Sequence, residues 1–341
     1  MQDRDSVSSM SEAKCRNEEP NMRWLRCVLA LLAMFGGVCH AQGYPDKARP
    51  IRIIVPFGAG GGVDLLARIY AKAITEVAGL NTLVDNKPGA EAVIGVQAFL
   101  GSPPDGYTLL ITSSSALTLG PVLLPNIPYD PVKDFVPLVG LGRTPFVMSL
   151  GPSTSFRTAR EFITAARAAP GKYTCAHAST STRMACELLQ STAGIQLLMV
   201  PYKTAPAAMT ALAAGEADVH ITDPGSSRAM LAAGRARAVA VTGAKRAPSM
   251  NQLPTLREEG LADYEFSAWF AAYMPTRTPP EVAAAMREIL EKTRRTREVN
   301  EFLTGSAIEP LELAGDELTK LNRSEIEMWS RLARTANIKL N

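Results

Sequence analysis

Residues 51–64, IRIIVPFGAGGGVD, join an apolar run to a glycine loop and an acid. Gly58, Gly60, Gly61 and Gly62 let the backbone approach a ligand closely and aim N–H groups at it. A helix opening at Asp64 adds the positive end of its dipole, and together these hold a carboxylate or a phosphate. Asp64 itself reads as a helix N-cap or as a ligand contact. Ser113, Ser114 and Ser115 end a second apolar run, and Ser179, Thr180, Ser181 and Thr182 precede Arg183. Both clusters can donate hydroxyl hydrogen bonds to an anion, or serve as a turn and a helix cap. Arg183 and Lys203 can pair with a carboxylate, the arginine in bidentate fashion, or stand in surface ion pairs. His177 is a cavity-rim residue or the base of a serine nucleophile.

Other chemistries fit poorly. A dinucleotide fingerprint needs a third glycine where Val63 stands, and a P-loop needs a Gly-Lys-Ser/Thr run that is absent. There is no GxSxG elbow, so a secreted hydrolase built on His177 has little support. Three scattered histidines, and no CxxC, give no metal-ligand spacing; neither a metal nor a cofactor is expected. A net charge of +3 leaves no nucleic-acid footprint.

The N-terminal region reads as an export signal. Residues 1–21 are polar and are excluded from the fold as a mis-assigned start. Met22 begins a tripartite pattern over residues 22–41: Arg23 and Arg26, the apolar run Cys27 to Phe35, then Cys39-His40-Ala41. Cleavage is predicted after Ala41, into the periplasm. The apolar run is too short to span a bilayer. Cleavage would leave two of the five cysteines, Cys175 and Cys186. In an oxidising compartment these either pair or remain two buried thiols.

Strand and helix patterns alternate along most of the remaining chain, which predicts an α/β fold with largely parallel sheets. Ile51 to Val55, Thr82 to Val84 and Thr108 to Ile111 read as strands; residues 64–78 and 93–100 read as helices. The proline-rich stretch 120–137 reads as an extended connector. Strands at 146–150, 172–176, 197–200, 217–222 and 238–242 alternate with helices at 158–168, 183–193 and 206–214. Asp223-Pro224-Gly225 reads as a loop. Tyr264 to Tyr273 is a further strand, and the C-terminal part is helical, with Val282, Met286, Ile289 and Leu290 on one stripe. Loops 57–64, 112–116, 176–182 and 222–226 follow strand ends, where open α/β sheets bind ligands.

Ten segments carry a family resemblance in order: YPDKARPIRIIVPF, the glycine loop before Asp64, DNKPGA, PPDGYTLL, PYDPVKDF, PGKYT, VPYK, AVAVTGAKR, LPTLREEGL and AWF. From about Tyr44 the chain resembles the Bug family, periplasmic solute-binding proteins of tripartite tricarboxylate transporters. The resemblance implies a two-domain Venus-flytrap clamp of mixed, mostly parallel sheets flanked by helices, with two crossovers. Residues 42–143 and 266–341 would form one domain and 144–265 the other. It implies a small organic carboxylate held at Phe57, Gly60, Gly61, Val63 and Asp64. Ser113, Ser114, His177, Ser179, Thr180, Ser181, Thr222 and Asp223 would complete the site. Arg183 or His177 would recognise a second polar group of the ligand. The implied role is delivery to transporter membrane subunits, with docking on a two-component sensor kinase as the alternative; a monomer is expected. The family's usual prolines before the two glycines are replaced by Gly58-Ala59, and Val63 stands where a hydroxyl residue is common.

Overall fold

A computed structural model describes residues 44–124 and 126–335. The predicted export signal and its cleavage point lie outside the described residues.

The first apolar run forms β1 (Ile51–Val55). Ile51, Ile53 and Val55 pack into one core cluster, while Ile54 points into another. Both faces are therefore covered at Ile53, Ile54 and Val55, which is why these three are apolar without alternation, whereas the half-buried Arg52 pairs with Asp85 on β2. Helix α1 (Gly62–Ala78) lays Leu66, Tyr70 and Ile74 on the sheet and stops at Gly79, whose φ of 67° suits glycine. β2 (Thr82–Asn86), α2 (Val93–Leu100) and β3 (Thr108–Ser113) follow. Beyond them come the short α3 (Gly120–Leu123) and the long β4 (Phe135–Pro145). The first sheet has the order β2-β1-β3-β10-β4, with β10 spanning Ser267–Pro275.

The second sheet, of order β7-β6-β8-β5-β9, is built from β5 (Val147–Leu150), β6 (Thr174–His177), β7 (Leu198–Pro201), β8 (Val219–Thr222) and β9 (Arg237–Val241). Its helices are α4 (Ala159–Ala168), α5 (Thr180–Ala193), α6 (Ala205–Ala214) and α7 (Pro224–Ala232). The C-terminal region adds α8 (Pro280–Thr293), α9 (Arg297–Gly305) and α10 (Asp316–Thr335). Both sheets are mixed. β1 runs parallel to β2 and β3, and β6 runs parallel to β7 and β8. β10 and β5 run antiparallel to both of their neighbours.

Those two antiparallel strands carry the crossovers. The chain leaves the first sheet at Pro145 and enters the second at Val147; it returns at Ser267, which lies opposite Pro145. Thr242 pins the two passages side by side. Its hydroxyl accepts from Phe146 N–H at 2.6 Å and donates to Phe266 O at 2.8 Å. Helix α10 spans both lobes: Leu318 packs beneath the first sheet, whereas Trp329 and Ala333 join the core of the second.

Several elements depart from the sequence reading. Residues 120–137 are not one extended connector: α3 forms at their start and β4 at their end. α5 begins at Thr180, three residues earlier than predicted, because Ser179 and Thr182 form a reciprocal capping box. Asp223-Pro224-Gly225 is the start of α7, with Asp223 as N-cap and proline at the first helical position. Cys175 on β6 and Cys186 on α5 are joined as a disulfide, with Cα atoms 6.5 Å apart.

Candidate functional site

A cavity of about 620 Å³ lies between the two sheets. Its floor on the first lobe is the glycine loop. Gly60 has φ +78°, a left-handed conformation that glycine adopts without strain. Its N–H donates to Asp64 Oδ2 at 2.8 Å. The same oxygen accepts from Arg68 Nε at 3.0 Å, and Oδ1 accepts from Asn86 Nδ2 at 2.9 Å. Asn86 also donates to Phe57 O at 3.2 Å, closing the circuit around the loop. Burial alone would raise the pKa of Asp64. Bonds from Arg68, the Gly60 N–H and Asn86 outweigh it and hold the carboxyl below the usual range.

Asp64 is therefore neither the helix cap nor on the cavity wall. The N-cap is Gly61, and the helix begins at Gly62, two residues before Asp64. The backbone N–H that its carboxylate satisfies is that of Gly60, in the loop. Its place in the fold is to fix the loop's shape.

Four helix N-termini converge on the cavity. Gly61, Gly62 and Val63 bring the start of α1 to the wall; Ser179, Ser181 and Thr182 bring that of α5; Thr204 and Ala205 bring that of α6; Thr222, Asp223 and Ser226 bring that of α7. Each end carries partial positive charge. The lobes also touch here. Gly62 N–H donates to Ser226 Oγ at 3.1 Å, and Ser226 Oγ donates to Asp223 Oδ2 at 2.7 Å. Nearby, Thr180 Oγ1 donates to Ser115 O at 2.7 Å, and Ser181 N–H donates to Ser115 Oγ at 3.1 Å.

Of the residues expected at the site, Phe57, Gly61, Val63 and Ser113 reach the wall from the first lobe. His177, Ser179, Ser181, Thr222 and Asp223 reach it from the second. Gly60, Ser114, Thr180 and Arg183 do not line it. Gly60 shapes the loop, and Thr180 is tied to Ser115. The Arg183 guanidinium lies 4.0 Å from Glu187, on its own helix. Ser179 is occupied as the N-cap of α5, whereas the buried Ser181 Oγ has no hydrogen-bond partner. His177 is buried, and burial first, then the charge of Arg183, pushes its pKa down to about 4, so it is neutral at pH 7. Burial also raises Asp223, against the pull of Ser226 and Thr222.

Sequence reading missed Glu91 and Phe270 as wall residues, whereas Gly62 and Ser226 lie in loops that it singled out. Glu91 carried a signal, being the one charged residue within PGAEAVIGV. Much of the remaining wall is apolar: Phe57, Pro88, Phe146, Pro201, Ala268 and Phe270. A polar ring of helix ends over an apolar wall suits an anion with a carbon skeleton.

Two mixed sheets joined by two adjacent crossovers, with helix N-termini facing a cavity between them, define a periplasmic-binding-protein clamp. Residues 66–338 match the family described as tripartite tricarboxylate transporter family receptor, and the chain belongs to that family. It is 35% identical over 307 residues to the protein of the tcbD-tcbE intergenic region of Pseudomonas sp. (strain P51), covering 88% of this chain and 90% of that protein. It is 30% identical over 326 residues to the protein BugT of Bordetella pertussis, covering 94% and 99%. Among solved structures, R. palustris Rpa4515 with adipate superposes with a TM-score of 0.83 at 28% identity, covering 86% of this chain and 98% of that one. The periplasmic binding protein BugD gives 0.82 at 26% identity, covering 87% and 99%. The family is one of solute-binding receptors and not of enzymes.

Proposed function

We propose that the protein captures a small organic carboxylate between its lobes and delivers it to the membrane subunits of a tripartite tricarboxylate-type transporter, working in the periplasm. The two bodies of the expected division, 42–143 with 266–341 and 144–265, close about the paired passages at Pro145 and Ser267, with α10 reaching from the first onto the core of the second. The observation that carries this reading is the convergence of the N-termini of α1, α5, α6 and α7 on one apolar-walled cavity. Each end favours an anion by about 0.3–1 kcal/mol near the surface and by more where water is excluded. The glycine loop and the Ser181 hydroxyl supply donors to the carboxylate oxygens. The apolar wall packs against the carbon chain. The relative Rpa4515 was solved with adipate, which supports a carboxylate as the ligand class. Closure traps the ligand because the closed state makes contacts with both lobes that the open state cannot.

Titration calorimetry with carboxylic acids and their matched primary amides tests this. The acid is expected to bind at least about 100-fold more tightly than its amide, about 2.7 kcal/mol. Equal affinity for acid and amide would remove the anion from the account.

A further inference from the structure

The β2–α2 connection gives one wall of the cavity an unusual character. Three successive non-glycine residues hold left-handed backbone: φ is 44° at Ala90, 52° at Glu91 and 84° at Ala92. L-residues adopt this region at an energetic cost, and such strain persists where the surroundings enforce it, commonly at ligand clamps. Here the enforcement is visible. Gly95 lies so close to β1 that a Cβ would stand 2.5 Å from Pro56 Cα, and Ala92 is buried. The strained triplet sets the Glu91 side chain on the cavity wall. Its Oε2 is buried and has no hydrogen-bond donor.

The charges around it do not settle that carboxylate. Asp223, the other acid on the wall, is already bonded to Ser226. His177 is neutral at pH 7, with its pKa near 4. Lys203 reaches the wall from an exposed position. Arg183, which does not line the wall, acts on Glu91, and its charge offsets only part of the burial that raises the Glu91 pKa. A buried carboxylate oxygen without a donor is costly, and a ligand that brings a cation to it removes that cost.

We propose that Glu91 is a specificity-determining residue that receives an ammonium group, so that the ligand is a carboxylate that also carries a protonated amine. This inference rests on the carboxylate reading above and narrows its ligand class. A dicarboxylate would set its second carboxylate beside two acidic side chains, Glu91 and Asp223, where an ammonium finds acceptors.

The test uses ligand-stripped wild-type protein and Glu91→Gln, titrated with straight-chain acids of three to six carbons. For each length the probes are the unsubstituted acid, the α- or ω-amino acid, the hydroxy acid, the dicarboxylic acid and the amine without a carboxyl. At least one amino acid should bind wild type about tenfold or more tightly than its dicarboxylate and unsubstituted counterparts. Glu91→Gln should lose that advantage, so that the amino acid and the unsubstituted acid of the same length bind the variant within about threefold of each other. Dicarboxylates or hydroxy acids binding wild type as tightly as amino acids would overturn the proposal and leave the carboxylate reading standing. An unchanged amino-acid preference in a folded Glu91→Gln protein would overturn the role of Glu91. Amines without a carboxyl binding as well as the amino acids would instead remove the carboxylate reading. Wild-type selectivity decides the ligand class even if the variant fails to fold.

Discussion

Gly62→Ala separates folding from closure. Gly62 sits in the first turn of α1 with no left-handed φ, so its backbone accepts alanine, and the exchange favours the helix by up to about 1 kcal/mol. The obstacle is the other lobe. A Cβ on Gly62 would stand 2.6 Å from Asp223 Cγ and 3.1 Å from Oδ2, and closer still to Oδ1. Asp223 cannot simply rotate away. Its Oδ1 holds Ser226 N–H at 2.8 Å and its Oδ2 holds Ser226 Oγ at 2.7 Å, while Ser226 Oγ accepts from Gly62 N–H at 3.1 Å. Relieving the overlap in the closed state breaks up to three hydrogen bonds, each contributing about 0.5–1.5 kcal/mol. The closed state therefore loses about 1.5–4.5 kcal/mol, which lowers ligand affinity about ten- to a thousandfold. Calorimetry gives the affinity, small-angle scattering at saturating ligand gives the radius of gyration, and thermal unfolding of the unliganded variant gives stability. The variant should show an equal or higher melting temperature, weakened binding and a more open shape. Wild-type affinity with full compaction would refute this, as would a loss of stability in the unliganded variant.

Asp64→Ala leaves the Gly60 N–H, Asn86 amide and Arg68 without their shared acceptor, and should cost about 2–4 kcal/mol in denaturant unfolding. Because the folded pKa of Asp64 is lowered, its contribution is present above the ordinary aspartate range and lost as pH falls through the folded value; the variant should lack that part of the acid destabilisation. His177 and His220 both have pKa values lowered to about 4 by burial, against about 6.5 when unfolded. Their contribution is complete above pH 6.5 and lost towards pH 4, with a slope of up to about 1.4 kcal/mol per pH unit for each. Unfolding measured between pH 7 and pH 5 should show this slope, and His177→Gln should reduce it by about half. Replacing Cys175 and Cys186 by alanine opens a loop with a sequence separation of 11, and should cost about 3 kcal/mol in the chain-entropy model. Denaturant titration of the double variant beside wild type, both without reductant, measures it.

The parts of the fold that were legible in the sequence are those whose signals are local. β1, α1 and β3 follow from continuous apolar runs, helical spacing and a stopping glycine. β4 was not legible, because Pro137, Gly140 and Gly142 make it look like connector. It exists as strand because distant backbone packs on those glycines. A Cβ on Gly140 would meet Leu311 O at 2.5 Å, and Gly140 N–H donates to Leu313 O at 2.7 Å. The start of α7 was misread because aspartate, proline and glycine make turns as readily as they make helix N-termini. The site divides in the same way. The glycine loop and the hydroxyl clusters are visible in residue types. The left-handed backbone that sets Glu91 on the wall is not, since neither alanine nor glutamate announces a positive φ. Asp64 could be singled out, but its bonds to Asn86 and Gly60, and hence its place behind the wall, depend on how β2 lies beside β1.

A crystal structure of the protein with a bound carboxylate would show where the anion is held. The ligand should lie between the two sheets, with its carboxylate oxygens within hydrogen-bond distance of the glycine loop and the Ser181 hydroxyl. Its carbon chain should lie against Phe57 and Phe270, and the Gly62–Ser226 contact should be retained. A carboxylate bound outside this cavity, or one oriented with its charge against the apolar wall and away from the ends of α1, α5, α6 and α7, would rule out the proposed capture between the lobes.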